Sequence, residues 1–351
     1  MLRKTFLKWA LTAFVFLPLT LAQAAPDELR FMVMGDWGKP LSKEQPHLPT
    51  AGQKQVAEAM ARYAEVHKMF SPVQFVVLTG DNFYEGGVTG VDDIQWKTKF
   101  ENVYDPKRLP MPFIAVLGNH DWRTNPSAQI AYAGVNGARL VDPGIGWRKR
   151  SAPPRPYIAP GTRWQMDGFY YKRTYPLPTR SEFDTLIAPT TPLTDFFFID
   201  TDLWNYGLTK LADAQLKWLE AELKNSKATW QIVVAHHPLF TDGAHAPDTE
   251  LVKLREILLP LFKKYGVDTF LAGHDHNLQH VINPAHPTTF IISGGGAETR
   301  PRKTNDFGEA FFSLRGFAGI VITPTELRGE LIDDSNKSLH TWTQKPLAPT
   351  P

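Results

Sequence analysis

The sequence predicts an α/β fold with largely parallel strands. Apolar runs of strand length alternate with segments of helical periodicity, the order expected when each crossover returns a strand to the same sheet. Several of those runs are apolar at every position, not only at alternate ones, which fits strands covered on both faces. Beyond Phe311 strand-like runs follow one another with no helix between them, so that end is expected to be antiparallel.

The elements follow in order. Strands are predicted at 29–34, 73–79, 112–117, 195–200, 229–235, 267–272 and 287–293. Helical patterns lie between them at 53–70, 93–101, 213–225 and 250–265. In 213–225, Leu216, Leu219 and Leu223 share a face and Asp213 is placed to cap the first turn. Lys263, Lys264 and Gly266 are stop signals for the last helix. The antiparallel strands are read at 311–314, 317–323 and 327–332.

Residues 1–24 read as a secretory signal: Arg3, Lys4 and Lys8 precede an apolar run from Trp9 to Leu21, and Ala22-Gln23-Ala24 offers a small-residue cleavage site. The run is too short to span a bilayer comfortably and Pro18 interrupts it. No later stretch is expected to cross a membrane. One domain is predicted over 25–343, with a long Gly-, Pro- and Arg-rich surface loop at 138–163 that includes Trp147-Arg148-Lys149-Arg150. Residues 344–351 read as a Pro-rich, disordered tail.

Composition narrows the function. The chain has 351 residues, 42% hydrophobic and 21% charged, which excludes global disorder. Its 38 basic and 36 acidic residues argue against a dedicated nucleic-acid binder. There is no cysteine, so thiolate catalysis, Cys–zinc sites, iron–sulfur clusters and disulfides are all excluded. An exported chain without disulfides leans towards a bacterial periplasm.

Five polar clusters stand behind five of the strand runs. They are Gly35-Asp36-Trp37-Gly38, Gly80-Asp81-Asn82-Phe83-Tyr84, Gly118-Asn119-His120-Asp121, Ala235-His236-His237-Pro238 and Gly273-His274-Asp275-His276. Ligands of open α/β sheets bind beyond the carboxyl ends of strands, so the five deliver oxygen and imidazole donors to one rim. With no sulfur in the set, Fe, Mn, Zn or Mg is the expected occupant. Six of the 11 histidines (120, 236, 237, 245, 274 and 276) lie in or near these clusters.

The succession GDWG, GDNFY, GNHD, a His two before Pro, and GHDHNLQ resembles the purple acid phosphatases among the calcineurin-like metallophosphoesterases, in particular the small tartrate-resistant type. It runs from Phe31 to Leu339 and includes Ser127-Ala128-Gln129-Ile130-Ala131-Tyr132 and Asn336-Lys337-Ser338-Leu339. The resemblance implies a sandwich of two mixed β-sheets flanked by helices, in four α/β/β/α layers. It implies that Asp36, Tyr84 and His276 bind Fe(III). Asn119, His236 and His274 would bind a divalent ion, Fe(II), Zn(II) or Mn(II), with Asp81 bridging. His120 and His245 would be catalytic, contacting the phosphate and assisting the leaving group. His245 follows His236 by the family's spacing for its second catalytic histidine.

The residues themselves agree. Many related phosphoesterases carry Asp-x-His in the first motif, whereas Gly38 here cannot ligate and Tyr84 offers a hard phenolate that favours Fe(III). Fe(III) and M(II) bring about +5 against about −4 from two carboxylates, a phenolate and a hydroxide, and the surplus attracts phosphate. Such metals polarise phosphoryl oxygens and activate a bound water. Asp121 is read either as a support for His120 or as a turn residue. Trp37, Trp122 and Trp204 are candidates for an apolar rim, and Gly294-Gly295-Gly296 for a close backbone approach near the site. His237 stands where relatives commonly have an aromatic residue. The short stretch after Thr201 leaves no room for the exposed regulatory loop of the mammalian type.

The expected activity is hydrolysis of phosphomonoesters by a hydroxide on the dinuclear centre. A phosphodiesterase or nucleotide pyrophosphatase on the same metals is one alternative, and a non-enzymatic iron or redox protein is another. The expected partner is a small phosphorylated substrate, with no nucleic acid, no membrane anchor after signal cleavage, and a monomeric, exported chain that is periplasmic or secreted.

Overall fold

A computed structural model describes residues 28–134, 163–176 and 192–347. The signal segment, the loop at 138–162 with its basic run, and residues 348–351 lie outside the described residues.

In chain order the first strands are β1 (Leu29–Met34), β2 (Phe75–Leu78), β3 (Phe113–Ala115), β4 (Trp164–Gln165), β5 (Tyr171–Pro176), β6 (Pro192–Phe198) and β7 (Trp230–Val234). They are followed by β8 (Thr269–Ala272), β9 (Leu278–Ile282), β10 (Thr289–Ser293), β11 (Gly308–Phe312), β12 (Gly316–Ile322), β13 (Leu327–Asp333) and β14 (Ser338–Gln344). The helices are α1 (Ala51–His67), α2 (Ser127–Tyr132), α3 (Asp202–Asn205), α4 (Thr209–Asn225) and α5 (Thr249–Tyr265). One seven-stranded sheet runs β14-β13-β12-β1-β2-β3-β4 and the other β11-β9-β10-β8-β7-β6-β5. The first is parallel from β1 to its edge strand β4 and antiparallel from β1 out to β14, and the second has a parallel centre, β6-β7-β8-β10, with antiparallel margins.

The continuous apolar runs come from burial on both faces. Phe31, Val33, Phe75 and Val77 point between the sheets and pack with Phe196, Phe198, Ile232 and Val234. Their neighbours Met32, Met34, Val76 and Leu78 point outward against Val56 and Met60 of α1. On the opposite outer face Phe197, Val233 and Phe270 meet Leu219 and Leu223 of α4 and Leu254, Leu258 and Phe262 of α5. The layers are helix, sheet, sheet, helix. Full burial of such a side chain contributes about 1.5–3 kcal/mol of transfer free energy, so three contiguous clusters hold a cysteine-free chain.

Several elements differ from expectation. Helix α4 begins at Thr209, a turn before Asp213, because Leu211 and Ala212 are buried against the second sheet. The segment 93–101 is helical from 94 to 101, with Trp96–Glu101 as a wide π-type turn. Gln344 is the last residue of β14 and pairs with Leu327, and Leu347 N–H donates to Asp268 Oδ1 (2.6 Å). Residues 344–347 are therefore tied to the domain rather than part of a disordered tail.

Strands β1, β2, β3, β7 and β8 all end at one edge of the sandwich, and the five polar clusters follow them there.

Candidate metal centre

The first three clusters come from one sheet and the last two from the other, so the site straddles the seam. Tight backbone makes this possible. Asp36, Asp81 and His274 sit in left-handed backbone, with φ of 58°, 50° and 67°, a conformation that costs a non-glycine residue about 1–3 kcal/mol and persists where the surroundings fix it. A Cβ on Gly118 would overlap the Asp81 carboxylate, and one on Gly273 would overlap that of Asp36. Glycine at these two positions lets neighbouring strand ends close on the acids.

Two donor groups result. In the first, Tyr84 Oη donates to Asp36 Oδ1 (2.9 Å) and lies 3.2 Å from His276 Nε2. In the second, His236 Nε2 faces His274 Nδ1 at 3.1 Å, Asn119 Oδ1 at 3.2 Å and Asp81 Oδ2 at 3.5 Å. Asp36, Asp81 and His236 also form one tight group, so Asp81 links the two halves. His236 Nδ1–H donates to the Thr79 carbonyl (2.9 Å), which fixes the ring and turns Nε2 inward. All seven residues expected as ligands are thus brought together.

The electrostatics fit a cation. Burial raises the Asp36 carboxyl above its usual range, against the pull of His276 and His236. Burial opposes ionisation of Asp81 too, but His236 and His120 hold its pKa well down. Burial should strip the proton from His236, yet the Asp81 charge raises its pKa to about 10. A proton on Nε2 therefore points at three converging acceptors, the place and the field a metal ion requires. Burial and the charges of Asp36 and Asp81 push the Tyr84 phenol well above its ordinary value, so it ionises only against a strong cation.

His120 and His245 flank the groups. His120 Nδ1–H donates to the Glu85 carbonyl (2.7 Å), and its Nε2 lies 4.0 Å from Asp81 Oδ2. His245 Nδ1–H donates to Asp248 Oδ2 (2.6 Å). Each ring is anchored through Nδ1 and keeps Nε2 for other partners.

Asp121 does not touch the His120 ring. Its buried carboxylate accepts from the backbone N–H of Asn82, Phe83 and Gly118 at 3.0 Å each, so it braces the second cluster. Trp37 is fully buried, packs on Phe83 and donates to Asn82 Oδ1 (3.1 Å), and Trp204 lies in the core under α4, so neither forms a rim. Trp122 is half-buried, donates to Asp200 Oδ2 (2.9 Å) and lies beside the exposed Tyr206. His237 is buried and hydrogen-bonds Thr201 Oγ1 (2.7 Å).

Three residues were not legible in sequence. Glu298 lies 3.0 Å from His276 Nδ1 and also pairs with Lys39 (2.9 Å). Arg300 Nη1 donates to His245 Nε2 (2.6 Å). Lys99, fully buried, donates to the carbonyls of Gly38 (2.9 Å) and Tyr84 (3.1 Å) and ties the first cluster to the second. Glu298 and Arg300 follow Gly294-Gly295-Gly296, the one sequence signal that pointed near them.

Comparison with known proteins agrees with this geometry. The calcineurin-like phosphoesterase family model matches residues 29–278. Tartrate-resistant acid phosphatase type 5 of Oryctolagus cuniculus is 32% identical, covering 91% of this chain and 91% of the relative. The chain belongs to the purple acid phosphatase family. It is a metallophosphoesterase acid phosphatase, a phosphoric monoester hydrolase. Purple acid phosphatase 4 of Arabidopsis thaliana is 30% identical over 92% of this chain and 86% of its own length. Among solved structures, GAP50, described as the anchor in the inner membrane complex of Plasmodium, superposes with a TM-score of 0.69 at 24% identity, covering 92% and 89% of the two chains. A yellow lupin purple acid phosphatase gives 0.62 at 16% identity over 92% of this chain and 55% of the lupin chain. Both likenesses speak to the fold alone. The dinuclear metal centre that the purple acid phosphatase family implies has its candidate donors in the two groups joined by Asp81. Among the described residues no helix is long and apolar enough to cross a membrane.

Proposed function

We propose that the chain hydrolyses phosphomonoesters on an Fe(III)–M(II) centre, with M as Fe(II), Zn(II) or Mn(II). Asp36, Tyr84 and His276 would hold Fe(III), Asn119, His236 and His274 would hold M(II), and Asp81 would be shared between them. The observation that carries this reading is the convergence of Asp81, Asn119 and His274 on His236 Nε2, beside a second group that contains a phenol. When bound, such a pair polarises phosphoryl oxygens and lowers the pKa of a coordinated water.

The chain's own groups do the rest. Asp121 and Lys99 fix the loop that carries Asp81 and Tyr84. Glu298 stands 3.0 Å from His276 Nδ1, on the side of the ring away from Tyr84 and Asp36, which face Nε2. His120 turns Nε2 towards the space beside Asp81, where it gives a proton to the leaving oxygen. His245 stands opposite, its tautomer set by Asp248. Export on residues 1–24 is part of this proposal and rests on the basic, apolar and small-residue order of that segment.

The test is the visible spectrum and metal content of the mature protein and of Tyr84→Phe, with rates on p-nitrophenyl phosphate and bis(p-nitrophenyl) phosphate. A purple protein with two metals per chain, bleached by the substitution and faster on the monoester, is the expected result. A colourless two-metal protein, or one faster on the diester, overturns the Fe(III)–Tyr84 assignment or the monoester reading respectively. Two bound metals with no hydrolysis of either ester would favour a non-enzymatic role.

A further inference from the structure

Arg300 has no part in the metal-holding set, yet the fold places it with care. Its backbone N–H donates to the His276 carbonyl (2.8 Å), and its own carbonyl accepts from Ser313 Oγ (2.8 Å). Just beyond it, Arg302 Nη2 (2.7 Å) and Thr304 Oγ1 (2.8 Å) donate to the buried carboxylate of Asp242, three residues before His245. One clamp fixes Arg300 to the metal rim and the other fixes its loop to the His245 loop. The guanidinium is thereby held against His245 Nε2 at 2.6 Å.

That partner is an imidazole nitrogen, not a carboxylate. His245 donates from Nδ1 to Asp248, so Nε2 is the lone-pair side that accepts from Arg300. Among the described residues no carboxylate lies within ion-pair distance of Arg300. A half-buried guanidinium that meets one ring nitrogen and no carboxylate among the described residues keeps its charge unpaired and most of its donors open. Such a fork suits a phosphoryl group, which binds it by charge-assisted and often paired hydrogen bonds.

We propose that Arg300 is a substrate-binding residue that selects phosphomonoesters. On arrival of the substrate its guanidinium exchanges the His245 nitrogen for a non-bridging phosphoryl oxygen. A monoester presents three such oxygens and a diester two. Were two oxygens to face the metal-holding groups, only the monoester would have a third for Arg300. This inference rests on the proposed centre and adds the ester class it prefers.

The experiment uses the metal-loaded protein, with Arg300→Met and Arg300→Lys beside the parent. It measures KM and kcat on the two nitrophenyl esters, and the inhibition constant or calorimetric affinity of inorganic phosphate. Metal content and visible spectrum serve as the control for an intact centre. Arg300→Met should raise the monoester KM and weaken phosphate binding about ten- to a hundredfold, the worth of a hydrogen bond to a charged group. Diester kinetics should move less than about threefold by the same reasoning, and Arg300→Lys should recover part of the loss. Phosphate affinity and monoester KM within twofold of the parent, or equal losses on both esters, would overturn the assignment. If Arg300→Met does not fold, Arg300→Lys carries the test, since a point charge without the fork must still weaken phosphate binding. A parent that holds two metals but cleaves neither ester would sink the proposed function. Phosphate affinity in parent and variants would still decide the role of Arg300.

Discussion

His236 and His280 are both buried in the second sheet region, and they titrate in opposite directions. At the rim, His236 lies 3.5 Å from the Asp81 carboxylate, which raises its pKa to about 10 in spite of burial. At the far seam, His280 on β9 meets His340 of β14 (Nδ1 to Nε2, 3.0 Å) and stacks on Trp342 at 4.8 Å. Burial, and then His340, push its pKa down to about 4. Burial alone removes an imidazole's charge, and a buried carboxylate restores it. The comparison separates histidines that gather a cation from histidines that fasten two sheets together, although His276 and His280 are one turn of sequence apart.

The sharpest way to break the contrast is to remove the rim's shared acid. Asp81→Asn should cost at least about 10³-fold in kcat, because the residues it links act as a unit. Bound metal should fall from two ions to one or none by metal analysis, with far-ultraviolet circular dichroism unchanged. A variant that kept both metals and full activity would show that Asp81 does not join the two groups.

His120→Ala should come next, with kcat down about 10²–10³-fold, the range of a positioned proton donor. Here metal content should stay at the parent value. Loss of metal together with rate would recast His120 as part of the metal-holding set.

The seam makes the opposite forecast. An unfolded imidazole takes its proton near pH 6.5, whereas His280 resists until about pH 4. Between those values the unfolded chain binds more protons. The stability linked to His280 is therefore complete above about pH 6.5 and drains away as the pH falls towards 4, by at most about 3 kcal/mol. His280→Phe should flatten the acid side of the Tm–pH curve and leave kcat within about twofold. A variant curve parallel to the parent's would place the acid sensitivity elsewhere.

The smallest effect belongs to His340→Asn. It removes the second cause of the His280 shift and leaves burial, so the His280 ring should titrate slightly higher. Nuclear magnetic resonance of the ring protons would read this directly, and a downward shift would contradict the assignment.

The rim was legible because its chemistry is punctuated in the chain. Each cluster pairs a small residue with a donor at the end of an apolar strand, and all seven candidate donors meet where that order puts them. The seam was not legible. His280 hides in the tail of the fifth motif, and β14 is a half-exposed edge strand whose polar residues gave no strand signal. Strand β5 was missed for the same reason, since its residues Lys172 to Pro176 are at most half-buried at the edge of the second sheet. Lys99 escaped because a lysine at helical spacing reads as solvent-facing, whereas three acceptors have drawn it fully inside. Asp213 looked like a cap because composition cannot show that Leu211 and Ala212 already pack below it. Arg300 and Glu298 act across long sequence distances on partners that no local pattern names.

The seam position of the rim also orders events in the life of the chain. Asp36 accepts from the His274 backbone across 238 residues, and the donors pass from the first sheet to the second only between Asn119 and His236. A ribosome-bound chain that has not yet made its second half holds only two acids, a phenol and an amide, with no imidazole beyond His120 to complete either group. A pair of ions therefore has nowhere to settle until synthesis and sheet docking are both finished. Metal uptake can then serve as a timestamp, marking molecules whose two halves have found each other.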